Sequence, residues 1–94
     1  MATLIKADGS QATIQPQNGT DFSLEELQKY VDGSIQVVRL YNQEDEILVL
    51  NEDGKYQQRP LNMAATELAL FNHAIFRWDC IVGDVVLCKN SEVL

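Results

Sequence analysis

Basic residues are scarce in this chain. Seven Lys and Arg stand against fourteen Asp and Glu, for a formal net charge of −7. An acidic field repels phosphate, so nonspecific nucleic-acid binding is disfavoured, while a small anion in a local basic pocket stays open. The acids are scattered rather than periodic, so the charge reads as a solubility device and not as an imitation of DNA. Long apolar runs are missing as well: none approaches the ~18 residues that span a bilayer. The segment Met1 to Asp8 has no basic start followed by an apolar stretch, so the sequence predicts no signal peptide and a cytoplasmic location. Cys80 and Cys88 are the only cysteines, and their spacing fits no zinc or redox motif. They read as reduced, near-core thiols; should Ile81 to Val85 turn tightly, the two face each other across a hairpin, and pairing stays open. His73 is the single histidine. With no zinc-binding histidine pair, no phosphate-cradling glycine loop and no nucleophile elbow, the sequence predicts a protein that is not an enzyme and needs neither cofactor nor metal.

What is present is ordinary globular material. Hydrophobic residues make up 46% and charged residues 22% of 94, enough for one domain over residues 1–94 that buries about 64% of its unfolded surface. Asp8-Gly9-Ser10 between Thr3 to Ala7 and Gln11 to Gln15 predicts a β-hairpin, since Asp-Gly supplies the positive φ angles of tight turns. Ser23-Leu24-Glu25-Glu26 is a capping box, with Phe22 and Leu27 spaced as a hydrophobic staple. A helix over Ser23 to Asp32 follows, ended by Gly33 as its left-handed residue. Ile35 to Tyr41 and Glu46 to Asn51 read as strands around a loop at Asn42 to Asp45. Tyr56 to Arg59 reads as a further short strand, ended by Pro60. Asn62 caps a helix over Met63 to Phe71, and Val85 to Cys88 forms the last strand. The predicted fold class is α+β: one mainly antiparallel sheet with two helices, strand order open.

The strands are apolar on both faces, where a half-wet sheet would alternate apolar and polar residues. If both helices cover one face, the other needs a partner. Met63 to Phe71, polar only at Thr66 and Glu67, is also apolar nearly all round. Both features predict a homo-oligomer, with a dimer favoured.

Candidate ligand-binding residues are Arg39, Tyr56, Arg59, Arg77 and Trp78, with Lys55 beside them. Arginine forks and aromatic faces suit planar anions such as nucleotides. Asn42 to Asp53 is rich in oxygen ligands, but the apolar run Ile47 to Leu50 occupies the positions where calcium ligands alternate, and the metal reading fails.

Several of these segments also carry a family resemblance. Tyr30-Val31-Asp32-Gly33 with Ile35-Gln36-Val37-Val38, the turn Asn51-Glu52-Asp53-Gly54-Lys55, Pro60-Leu61-Asn62 with Ala65-Thr66, and Ile81-Val82-Gly83-Asp84-Val85-Val86 resemble domain-of-unknown-function family 3846. The likeness runs from about Leu27 onward and is weakest over the first twenty residues. Relatives usually have Gly-Gly where this chain has Asp32-Gly33. The resemblance brings no catalytic residue; it implies small proteins encoded by phages, plasmids and bacteria, a setting rich in proteins that neutralise host factors. The leading expectation is therefore a non-catalytic protein that sequesters a nucleotide-like defence signal. The alternative is an acidic inhibitor or adaptor that binds a host protein.

Overall fold

Which side of each strand a residue occupies decides which helix it meets. The computed structural model describes residues 2–41 and 45–93. The elements are β1 (Ala2–Ile5), β2 (Gln11–Ile14), α1 (Leu24–Val31), β3 (Ile35–Arg39), β4 (Glu46–Asn51), α2 (Met63–Phe71) and β5 (Val85–Lys89), followed by a 3-10 turn at Asn90–Glu92. The strands form one sheet in the order β2-β1-β5-β4-β3, every pair antiparallel. The domain is α+β, as expected. The loop predicted at Asn42 to Asp45 falls mostly on residues 42–44, which lie outside the described residues.

The two-faced apolar pattern has its explanation here. On one face Ala2, Ile47, Val49, Val86 and Cys88 pack with Phe22, Leu27 and Val31 of the α1 region. On the other, Ile5, Leu40, Leu48 and Val85 pack with Ala65 and Ala69 of α2 and with Ile81. The helices do not share a face: each covers its own, so β4 and β5 are covered on both faces within one chain, while the edge strand β3 keeps Val37 exposed. The helix α2 is less buried than its composition suggests, because Met63 and Phe71 are exposed at 55% and 74%.

Local chemistry sets the helix ends. Ser23 accepts from the Glu26 amide while Glu26 accepts from the Ser23 amide, completing the capping box. At the other end it is Asp32, not Gly33, that takes the left-handed conformation, at φ 60 and ψ 49. Asp and Asn tolerate that region better than other non-glycine residues. Gly33 serves a different need: at φ +155, a Cβ there would sit 2.6 Å from Asn51 Nδ2.

One further expectation changes, and the cysteine pairing that the sequence left open is decided. Tyr56 to Arg59 is not a strand. Asn51 Oδ1 accepts from the Asp53 amide, and successive bonds Gln57 N to Asp53 O, Gln58 N to Lys55 O and Arg59 N to Gly54 O wind the segment into turns. The amides of Gln57, Gln58 and Arg59 are satisfied locally, so none of these three is left for a ladder. Cys80 and Cys88 do not face each other either. Cys88 is buried in the α1-side cluster, whereas Cys80 sits on the α2 side with Val38 and Leu50. The sheet separates them. Burial, with the Glu92 charge, pushes the Cys88 thiol up to about 11. A disulfide-exchange reagent should therefore modify Cys80 in the folded protein and Cys88 only on unfolding. Recovery of an intramolecular disulfide after mild oxidation would contradict this placement.

Candidate functional site

Two irregular segments fold over the outer part of the α2 face. One is the wound turn 52–59. The other leaves α2 at Asn72, where His73 adopts a positive φ of 54 and the Ala74 amide donates to Ala69 O, turning the chain back. Lys55 and Asp79 join the two segments through an ion pair between Lys55 Nζ and Asp79 Oδ1. Between the segments and the sheet lies a groove of about 400 Å³, within the range of small-ligand clefts. Its floor is Gln36 and Val38 of β3 with Leu50 of β4; its walls include Glu52, Lys55, Tyr56, His73, Phe76, Asp79 and Cys80.

Exposed rings mark the rim. Phe76 stacks on Trp78 with centroids 4.9 Å apart and planes 3° apart. Tyr56 and Trp78 are 89% and 81% exposed, unusual for side chains whose burial normally stabilises a fold.

The electrostatics are mixed. The hydrogen bond from Lys55, then the Cys80 amide, holds the Asp79 carboxyl below its ordinary value; the bond to Asp79 likewise raises Lys55. The Asp79 contribution to stability is present above the ordinary carboxylate range and lost as pH falls through its depressed folded value. That of Lys55 is present below the ordinary lysine range and lost as pH rises through its raised one. Solvent reaches both groups, so the pair organises the groove more than it stabilises the fold. Glu52 also lines the groove, and among the described residues its carboxylate has no ion-pair partner.

The five residues singled out from sequence scatter. Tyr56 lines the groove, and Trp78 stands beside it on Phe76. Arg59 is turned inward: its Nη2 donates to Asp32 O and Asp32 Oδ2, both at 3.1 Å, and its Nε to Gln57 Oε1 at 2.7 Å. It ties the end of α1 to the 52–59 turn. Arg39 is exposed at the end of β3, and strand alternation puts it on the face opposite Gln36 and Val38. Arg77 is exposed and does not line the groove. Sequence reasoning missed Gln36, Glu52, His73, Phe76 and Cys80. The alternation of Phe76 and Trp78 in a stretch without helical period was the available signal for paired rings on one side. His73 and Cys80 share the groove, but no hydrogen bond joins them among the described residues.

The chain belongs to the family described as Domain of unknown function (DUF3846), whose model matches residues 1–93. The likeness thus includes the first hairpin, beyond the part legible from the motifs. No match was found among curated proteins or among solved structures. No helix among the described residues is long and apolar enough to cross a membrane, and none of their His, Cys, Asp and Glu side chains cluster as a metal site.

Proposed function

We propose that this member of the DUF3846 family is a non-catalytic binding protein that docks a basic partner protein through the groove and its aromatic rim, as an inhibitor or adaptor of a host factor would. One observation carries the reading: the groove presents rings and a carboxylate, while three of the cations nearest it in sequence, Arg39, Lys55 and Arg59, are engaged or turned away. Arg59 is held by Asp32, Lys55 is held by Asp79, and Arg39 lies on the opposite face. Tyr56, Phe76 and Trp78 are left exposed. Tyrosine and tryptophan are enriched among residues that dominate protein interfaces. They also attract arginine and lysine side chains through cation–π contacts. A net charge of −7 adds long-range steering for a basic partner and none for an anion.

The sequestered nucleotide-like signal remains the second reading, supported by the open faces of Tyr56 and Trp78, on which a base can stack. Its phosphate would rely on Arg77. The homodimer expected from the strands keeps a narrower basis, the exposed Met63 and Phe71 on α2.

Trp78 is the only tryptophan and reports on its own coverage. An arginine-bearing peptide panel should shift its emission to the blue, and calorimetry should show binding weakened at least tenfold by Trp78→Ala. Silence of every peptide, with binding of a linear or cyclic nucleotide, would replace this reading with the second one.

A further inference from the structure

The strand β3 closes one side of the sheet, and its outer backbone is open. The register fixes which groups face outward. Glu52 N donates to Ser34 O and Leu40 N donates to Glu46 O, so Ser34, Gln36, Val38 and Leu40 direct their backbone groups toward β4. The N–H and C=O groups of Ile35, Val37 and Arg39 then point away from the sheet. Among the described residues nothing pairs with them.

The one charge on this edge is the exposed Arg39 at its end. The edge carries no proline or bulge, and Val37 at its centre is 47% exposed. The opposite edge, β2, reads Gln11-Ala12-Thr13-Ile14, and the cleft just past its end, lined by Gln15, Gln17, Glu26, Lys29 and Tyr30, holds a single ring. At β3, Gln36 and Val38 are at once edge residues and the floor of the groove.

Building on the protein-docking reading above, we infer that β3 is a strand-addition site for an extended basic segment of the partner. Its backbone would pair with Ile35, Val37 and Arg39, and its arginine or lysine would enter the groove toward Glu52. The geometry is specific. A residue added opposite Gln36 lies on the Gln36 face and in a position not hydrogen-bonded to β3, where opposed side chains come closest. That face is the groove face, and Glu52 lies on it two residues beyond Leu50, the β4 partner of Gln36. Main-chain pairing supplies affinity in such complexes, and the side-chain cleft supplies selectivity. The choice of a cation follows from the unpaired Glu52 carboxylate, the rings of Tyr56 and Phe76, and the net charge of −7.

The test uses a ten-residue Thr/Val peptide with one central arginine, and the same peptide with glutamate in its place. The arginine peptide should bind at least tenfold tighter, and hydrogen exchange at the Val37 amide should slow on binding. Val37→Pro removes only an outward N–H, so the β4 ladder stays intact; it should weaken binding at least tenfold with unfolding in urea nearly unchanged. Glu52→Gln should reduce the preference for arginine over glutamate, which a purely structural role would not do. Peptide binding that depends on Trp78 but ignores Val37→Pro, with Val37 exchange unaltered, overturns strand addition and leaves the protein-docking reading in place. Failure of all peptides removes both. A mass that doubles in light scattering and is halved by Val37→Pro would assign the edge to a second copy and overturn the proposal.

Discussion

Replacing Asn62 with alanine is expected to lower the unfolding free energy by about 3–4 kcal/mol, read from urea denaturation. That is a large share of the roughly 5–14 kcal/mol typical of a domain this size. Asn62 is fully buried, and each end of its amide is used. Oδ1 accepts from the Ala65 amide at 3.0 Å, capping α2. Nδ2 donates to Ile5 O at 3.0 Å and to Gly83 O at 2.8 Å, fastening the helix start to β1 and to the turn before β5. Alanine removes the cap and leaves two buried carbonyls short of a donor. The melting temperature should fall by roughly 12–25 °C. Asn62→Asp separates the two roles. It keeps the capping oxygen and adds a charge that the helix start favours. Yet it sets a carboxylate against two carbonyls, so at neutral pH it should be at least as damaging as alanine. That environment raises the new carboxyl's folded pKa above its unfolded value, so the defect of Asn62→Asp should lessen as pH falls. If Asn62→Asp matched the wild type at neutral pH, the Nδ2 bonds would carry no weight.

Asn62 also shows how far the sequence reaches. Its capping role is local and was legible from the residues that follow it. Its other two bonds join positions far apart in the chain, and no local pattern records them. The same division runs through the fold. Both helices and the Asp8-Gly9 hairpin follow from turn chemistry and capping, which act over a few residues. The apolar pattern of β4 and β5 correctly signalled that both faces are covered. It did not say by what, because a helix and a second subunit demand the same strand pattern. Tyr56 to Arg59 looked like a strand because propensity is silent about the Asn51 side chain that starts the winding. For the candidate groove, residue type picked out Tyr56 in its wall and Trp78 beside it on Phe76. It could not place Arg59, since an arginine reads the same whether its fork meets a ligand or, as here, the Asp32 at the end of α1. Glu52 and Gln36 gave no local sign; they became site residues through the β3–β4 register.

Gly33→Ala is expected to cost about 2–4 kcal/mol, although it adds only a methyl group. Two effects combine. The backbone at Gly33 has φ +155, which side-chain-bearing residues rarely adopt, and the new Cβ would lie 2.6 Å from Asn51 Nδ2. Asn51 cannot yield freely. It is 3% exposed, its Nδ2 donates to Val31 O and Asp32 O, both at 3.1 Å, and its Oδ1 accepts from the Asp53 amide at 2.7 Å. Moving it releases the end of α1 and unwinds the turn that carries Lys55 and Tyr56 into the groove. Fold and site are coupled at this contact, so Gly33→Ala should also weaken any groove ligand. Asn51→Ala should be destabilising by itself, since it leaves those carbonyls and that amide without their partner. Combined with Gly33→Ala it removes the clash, so the double variant should lose less than the sum of the two, by on the order of 1 kcal/mol or more. Urea denaturation of the four proteins measures that difference directly. Strict additivity would show that the strain resides in the backbone alone and that the Gly33–Asn51 contact exerts no force on the turn.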